Sequence, residues 1–168
     1  MPRILFRAIP IDDARHLQSG GADAYGAVPE RRVSDGNGVP CRHCLRDVVA
    51  GEEYLVLAYR PFPALQPYAE TGPIFVHAEP CERATDQAET PASLMKRKAH
   101  LIKGYGPDDR IVYGTGNIVT SDELAHAAAQ ILERNGIAYV HVRSAMNNCY
   151  TCRIDVASAN DFATVRPH

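Results

Sequence analysis

Six residues of this 168-residue chain have types and spacings that could do chemistry. Cys41-x-x-Cys44 lies in the segment Val39–Pro40–Cys41–Arg42–His43–Cys44–Leu45–Arg46–Asp47. His77-x-x-x-Cys81 follows, and a second Cys-x-x-Cys is formed by Cys149 and Cys152. The first pair sits in a turn-forming stretch, the shape of half a zinc knuckle. His77 and Cys81, at the end of a later strand, would complete a tetrahedral set of Cys41, Cys44, His77 and Cys81. Zinc favours thiolate and imidazole, and four protein ligands close the site, making it structural rather than catalytic. The same cysteine pair could instead cycle between dithiol and disulfide. The thioredoxin arrangement, however, needs a strand before the motif and a helix after it, whereas a Gly- and Pro-rich loop precedes Cys41. A third reading makes all these thiols ordinary packing.

The last two apolar runs, 137–143 and 149–157, offer a second kind of chemistry. Alternation puts Ala138, Val140 and Val142 on one face, and Tyr150, Cys152, Ile154 and Val156 on one face. Pairing these sets in a hairpin places Arg143 opposite Cys149, His141 opposite Thr151 and Tyr139 opposite Arg153. Cys149 then reads as a candidate nucleophile, with Arg143 favouring its thiolate and His141 accepting its proton. Cys152 falls on the apolar face as a small core hydrophobe, so Cys149 and Cys152 cannot chelate one ion. Arg42, Arg46, Tyr68 and Arg153 are the candidate ligand-binding residues. Guanidinium groups bind carboxylate or phosphate through paired hydrogen bonds, which suits a small anionic metabolite.

The elements that must hold these residues follow from pattern. Residues 3–9 read as a strand ended by Pro10, and 11–18 as a short helix with Asp12 and Asp13 in its first turn. Residues 19–40 and 79–93 read as irregular loops. The run 54–59 is apolar on both faces and belongs at the centre of a sheet, and 73–78 is the next strand. Residues 99–105 and 110–114 read as a hairpin across Gly106–Pro107–Asp108–Asp109. Thr120 and Glu123 form a capping box for a helix with an apolar stripe of Leu124, Ala128, Ile131 and Leu132, stopped at Asn135–Gly136. The sum is an α+β single domain over 1–168: a mostly antiparallel sheet with one well-formed helix at about 120–135 and a short N-terminal helix packed on it.

Length and charge narrow the function classes. One core in a chain this size buries roughly 70% of the unfolded surface. A formal net charge of −2 gives no push toward nucleic acid or an anionic membrane, so neither is expected as a partner. Lys96–Arg97–Lys98 reads as a solvated edge. No apolar run approaches the ~18 residues of a membrane span, and residues 1–15 hold no signal-peptide core. An odd number of cysteines fits reduced thiols, and cytoplasmic localisation is expected. No Gly-x-Ser-x-Gly elbow, His-Glu-x-x-His or phosphate loop occurs, and Gly114–Thr115–Gly116–Asn117 reads as a turn.

The segments Phe6–Arg7–Ala8–Ile9, the Cys41-x-x-Cys44 stretch, Ala50–Gly51–Glu52, Thr71–Gly72–Pro73–Ile74–Phe75–Val76, Tyr139–Val140–His141–Val142–Arg143 and Asn148–Cys149–Tyr150 with Arg153–Ile154 occur in that order. Together they resemble a bacterial family catalogued as domain of unknown function twelve-oh-three, across nearly the whole chain. The resemblance implies one small domain and brings no activity, cofactor or partner. Three readings stand: an anionic-metabolite binding or enzymatic domain, a non-enzymatic zinc-stabilised module that binds another protein, and a dithiol redox protein.

Overall fold

A computed structural model describes residues 1–162. In chain order the elements are β1 (Ile4–Arg7), α1 (Ile11–Gln18), β2 (Glu30–Val33), β3 (Glu53–Tyr59), β4 (Gly72–His77), α2 (Ala92–Met95), β5 (Ala99–Tyr105), β6 (Asn117–Thr120), α3 (Leu124–Leu132), β7 (Tyr139–Ser144) and β8 (Tyr150–Val156). They build two antiparallel sheets, one ordered β1-β8-β7-β5-β6 and one ordered β2-β3-β4. The α+β class and the antiparallel pairing are as expected, while the division into two sheets is new. Among the described residues no helix is long and apolar enough to cross a membrane.

Each sheet has its own core. Helix α3 lays Leu124, Ala128, Ile131 and Leu132 on the five-stranded sheet, against Ile102, Val140, Val142, Cys152 and Ile154. It begins at Leu124 rather than at Thr120, because Thr120 is committed to the β5–β6 ladder opposite Ala99. The Thr120 hydroxyl still donates to Glu123 Oε2 at 2.9 Å. Ala14 and Leu17 of α1 are buried in the second core, with Leu55 and Leu57 of β3, Ile74 and Val76 of β4, and Cys41 and Cys44. Strand β3 is central in its sheet, as its two apolar faces require.

Three expectations are corrected. Strand β5 is as read, but its partner is β6, and 110–114 contributes only a bridge between Tyr105 and Ile111. The side chain of Thr115 replaces the missing ladder there, its hydroxyl taking the Gly104 N–H at 2.9 Å. The second correction concerns β7 and β8. Their register pairs Val140 with Ile154, His141 with Arg153 and Val142 with Cys152, then jumps to Arg143 with Tyr150. Thr151 is the extra residue of a β-bulge, which turns the strand over. Tyr150 therefore leaves the α3 core for the other face, where its ring meets those of His141 at 4.9 Å and Tyr59 at 5.8 Å. The chain over 19–40 also contains β2, whose four residues are all exposed and show no apolar alternation.

Candidate metal centre and the cavities beside it

The Cys41–Cys44 turn is built by short backbone bonds. Cys41 N–H donates to the Arg46 carbonyl at 2.9 Å, and Leu45 N–H donates to the Cys41 carbonyl at 3.0 Å. Leu45 takes a φ of 54°, a left-handed conformation costly for a side chain with a Cβ, and this folds the loop back on itself. Bridges from Cys41 to Phe75 and from Pro40 to Asp47 fix the turn beside β4. His77 ends β4, and Cys81 follows four residues on. Helix α1 holds that segment: Gln18 Nε2 donates to the carbonyls of His77 at 3.0 Å and Glu79 at 3.1 Å, and Arg15 donates to that of Cys81 at 2.9 Å.

These supports bring one donor atom each from Cys41, Cys44, His77 and Cys81 within 4.8 Å of one another. The Cys41 and Cys81 sulfurs are 3.9 Å apart, and Cys44 Sγ is 3.5 Å from His77 Nδ1. Tetrahedral zinc with bonds of about 2.3 Å to sulfur sets neighbouring sulfurs about 3.8 Å apart, so the spacing fits such an ion. His77 Nε2 lies 3.3 Å from Glu52 Oε2, the carboxylate–histidine arrangement that fixes the other ring nitrogen for ligation. His43, fully buried, places Nδ1 3.2 Å from Cys81 Sγ.

The thiols share one charge unevenly. Hydrogen bonds from Cys44 and then Cys81 hold the Cys41 thiol far below its ordinary value. The same bonds push Cys44 and Cys81 up. His77 is raised, first by its hydrogen bond with Cys41 and further by the charges of Cys41 and Glu52. All five cysteines are free thiols. An acid-lined opening, with Glu52, Glu53 and Glu79 beside His77 and Cys81, gives a route from solvent to the cluster, and Arg46 stands at its edge.

The other candidate residues do not share one cleft. His141 and Arg153 line a cleft of about 730 Å³ between the two sheets, with Arg7, Arg83, Tyr59 and Phe62. His141 is 1% exposed, its Nδ1 has no hydrogen-bond partner, and burial pushes it well below its ordinary value. Cys149 lines a different cavity of about 500 Å³ with Arg42 and Thr151. Arg143 reaches neither cavity. It is buried with Nη2 2.9 Å from Glu70 Oε2, in ionic contact but misaligned for a hydrogen bond, and it donates to the Asn148 carbonyl at 3.2 Å. Tyr68 lies apart from both cavities, its hydroxyl 2.9 Å from that of Tyr113. Cys152 is fully buried in the α3 core.

Arg42 and His43, between the two cysteines of the motif, are 8% and 0% exposed, a burial the motif alone does not announce. The available signal was the apolar residues flanking the motif: Val39, Leu45 and Val48 are all buried, so the turn between them is embedded. Glu52 and Gln18 carried no signal at all, because each meets the cluster across a fold contact.

The fold and site define a small α+β protein with a Cys-Cys-His-Cys cluster able to hold a metal ion. The chain belongs to the family described as "Protein of unknown function (DUF1203)", whose profile matches residues 38–155. That span contains the whole cluster and both β7 and β8. No curated protein and no solved structure matches the chain significantly.

Proposed function

We propose that the protein is a zinc-stabilised binding module, with Cys41, Cys44, His77 and Cys81 as a closed structural site. The observation that carries this is the convergence of four donor atoms within 4.8 Å, from two segments separated in sequence. Three sulfurs and one imidazole are the donors zinc prefers, and four of them leave no position for water or substrate, so the reading is non-enzymatic. His43 Nδ1–H would donate to the Cys81 sulfur and Glu52 would orient His77, the outer contacts such sites use. Metal binding free energy then becomes folding free energy, tying α1, the turn and β4 together. Free thiolates of this kind belong in a reducing compartment, which favours the cytoplasm.

The test is metal analysis and melting of protein purified without a metal-affinity tag. About one zinc per chain, lost together with thermal stability on chelation, is expected for a single four-ligand site. Full stability without bound metal overturns the reading. A Cys41–Cys44 disulfide that forms and breaks reversibly would favour the dithiol reading instead.

A further inference from the structure

The opposite side of the same turn points away from the cluster. Arg42 is 8% exposed, Nε has no hydrogen-bond partner, and the side chain lines the 500 Å³ cavity. Its backbone is pinned on both sides, N–H to the Phe75 carbonyl at 2.9 Å and carbonyl to the Ile9 N–H at 3.2 Å. The turn thereby fixes where the Arg42 side chain starts, beside the cavity. Arg97, Lys98, His100, Cys149 and Thr151 also line the cavity, and none of its lining residues is an aspartate or glutamate. Of the other basic residues, Arg97 leans on Asp47 at 3.2 Å, outside the lining. His100 is buried, and its Nε2–H donates to the Leu94 carbonyl at 3.0 Å, which holds the ring in one orientation. Burial, with Arg42 and Arg97 adding to it, keeps that ring below its ordinary protonation range.

A buried guanidinium with an unsatisfied N–H costs free energy that an internal carboxylate would normally offset. Here the charge faces an open cavity and has polar company from Thr151, Ser93 and Asn147. We propose that this cavity is a binding site for a small oxyanion, a carboxylate or phosphate group of a metabolite, with Arg42 as its buried anchor and Cys149 at its wall. Arg97 and Lys98 at the cavity supply further positive charge to the same anion, and a planar guanidinium can grip two of its oxygens at once. The apolar remainder of the lining, Ile74, Phe75, Leu94 and Met146, would cover the uncharged part of the ligand. This goes beyond the zinc reading and does not depend on it, although the cluster and the anchor share one turn.

Alkylation of Cys149 by iodoacetamide, read by mass spectrometry on the full chain, reports on occupancy of this cavity. Inorganic phosphate and malonate are the probes, compared with chloride at equal ionic strength. At about 10 mM, ten times a millimolar dissociation constant, either bound anion should slow labelling by roughly threefold or more and raise the melting temperature. Arg42→Met should abolish both effects, Arg42→Lys should keep part of them, and Arg153→Met, in the other cleft, should leave them unchanged. Protection by phosphate alone assigns a phosphate site, and protection by malonate alone assigns a carboxylate site. If neither anion changes labelling or melting in the wild type, or if Arg42→Met keeps the full effect, the proposal fails. Zinc content measured on the same samples separates this outcome from that of the metal reading.

Discussion

Two polar regions of this protein are built on opposite plans. Around the β7–β8 face four arginines each have a carboxylate from the chain itself. Arg7 contacts Asp86, Asp155 and Asp161, Arg83 contacts Asp86, Arg153 contacts Asp155, and Arg143 contacts Glu70. Around the Cys41–Cys44 turn the polar groups are not matched in this way. On one side four soft donors converge on each other, and on the other Arg42 faces a cavity without an acid. In the first region these arginine charges are matched by carboxylates of the chain itself, so they are structural. On the proposed reading the second is completed by a cation on one side and an anion on the other.

The largest test of that contrast removes a donor from the turn. Cys44→Ser should lose the metal. With zinc at a thousandfold its dissociation constant the loss is about 4 kcal/mol, or a fall of roughly 10 °C in melting temperature for a chain this size. Chelation of the wild type should match it, and the two should not add. Calorimetry with and without chelator checks this.

Next come the two arginines, which should respond in opposite directions. Arg143→Met leaves Glu70 half-buried with only Lys103, 2.8 Å away, and should cost about 3 kcal/mol. Arg42→Met removes an unmatched buried charge and should be neutral or stabilising by about 1 kcal/mol in anion-free buffer. Denaturant unfolding of both variants measures the difference. Equal losses would mean that Arg42 is as internally matched as Arg143.

A smaller effect belongs to His141, ringed by Phe62, Tyr105, Tyr139 and Tyr150 at 4.7 to 5.1 Å. Burial, with Arg143, Arg153 and Lys103 adding to it, lowers its folded protonation well below that of the unfolded chain. The unfolded state therefore binds the extra proton as pH falls. The neutral ring's stability is complete above about pH 6.5 and declines below it, by up to about 1.4 kcal/mol per pH unit. His141→Phe should remove that slope while the acid loss of metal, common to both proteins, persists. Unfolding from pH 7.5 to 5 compares them.

The smallest effect is at Asp161, whose carboxyl is held at about 2 by hydrogen bonds from Ser158 and then Arg7. Its contribution is complete above the ordinary carboxylate range and fades as pH falls toward 2. Asp161→Asn should barely change melting at pH 7, because Arg7 keeps Asp86 and Asp155. A scan of melting against pH reads it.

The part of this account visible in the sequence was the part fixed by short spacings. Cys41-x-x-Cys44 and His77-x-x-x-Cys81 each put two donors within one turn of chain, and only their meeting needed the fold. Helix α3 was legible from its apolar stripe, although the β-pairing of Thr120 shortened it. Strand β2 was hidden because all its side chains are exposed, and the bulge at Thr151 was hidden because alternation carries no mark for an extra residue. That one residue separates His141 from Cys149, which a regular ladder would have placed on one face. The burial of Arg42 left only an indirect mark, the apolar Val39, Leu45 and Val48 around the cysteine turn, all of them buried.

The most direct test is elemental analysis, with thiol titration, of tag-free protein purified under reducing conditions. The account predicts about one zinc per chain, as a single tetrahedral site requires, with Cys41, Cys44 and Cys81 protected until a chelator is added. Protein without metal, with those three thiols freely reactive and its melting temperature indifferent to zinc, would contradict it.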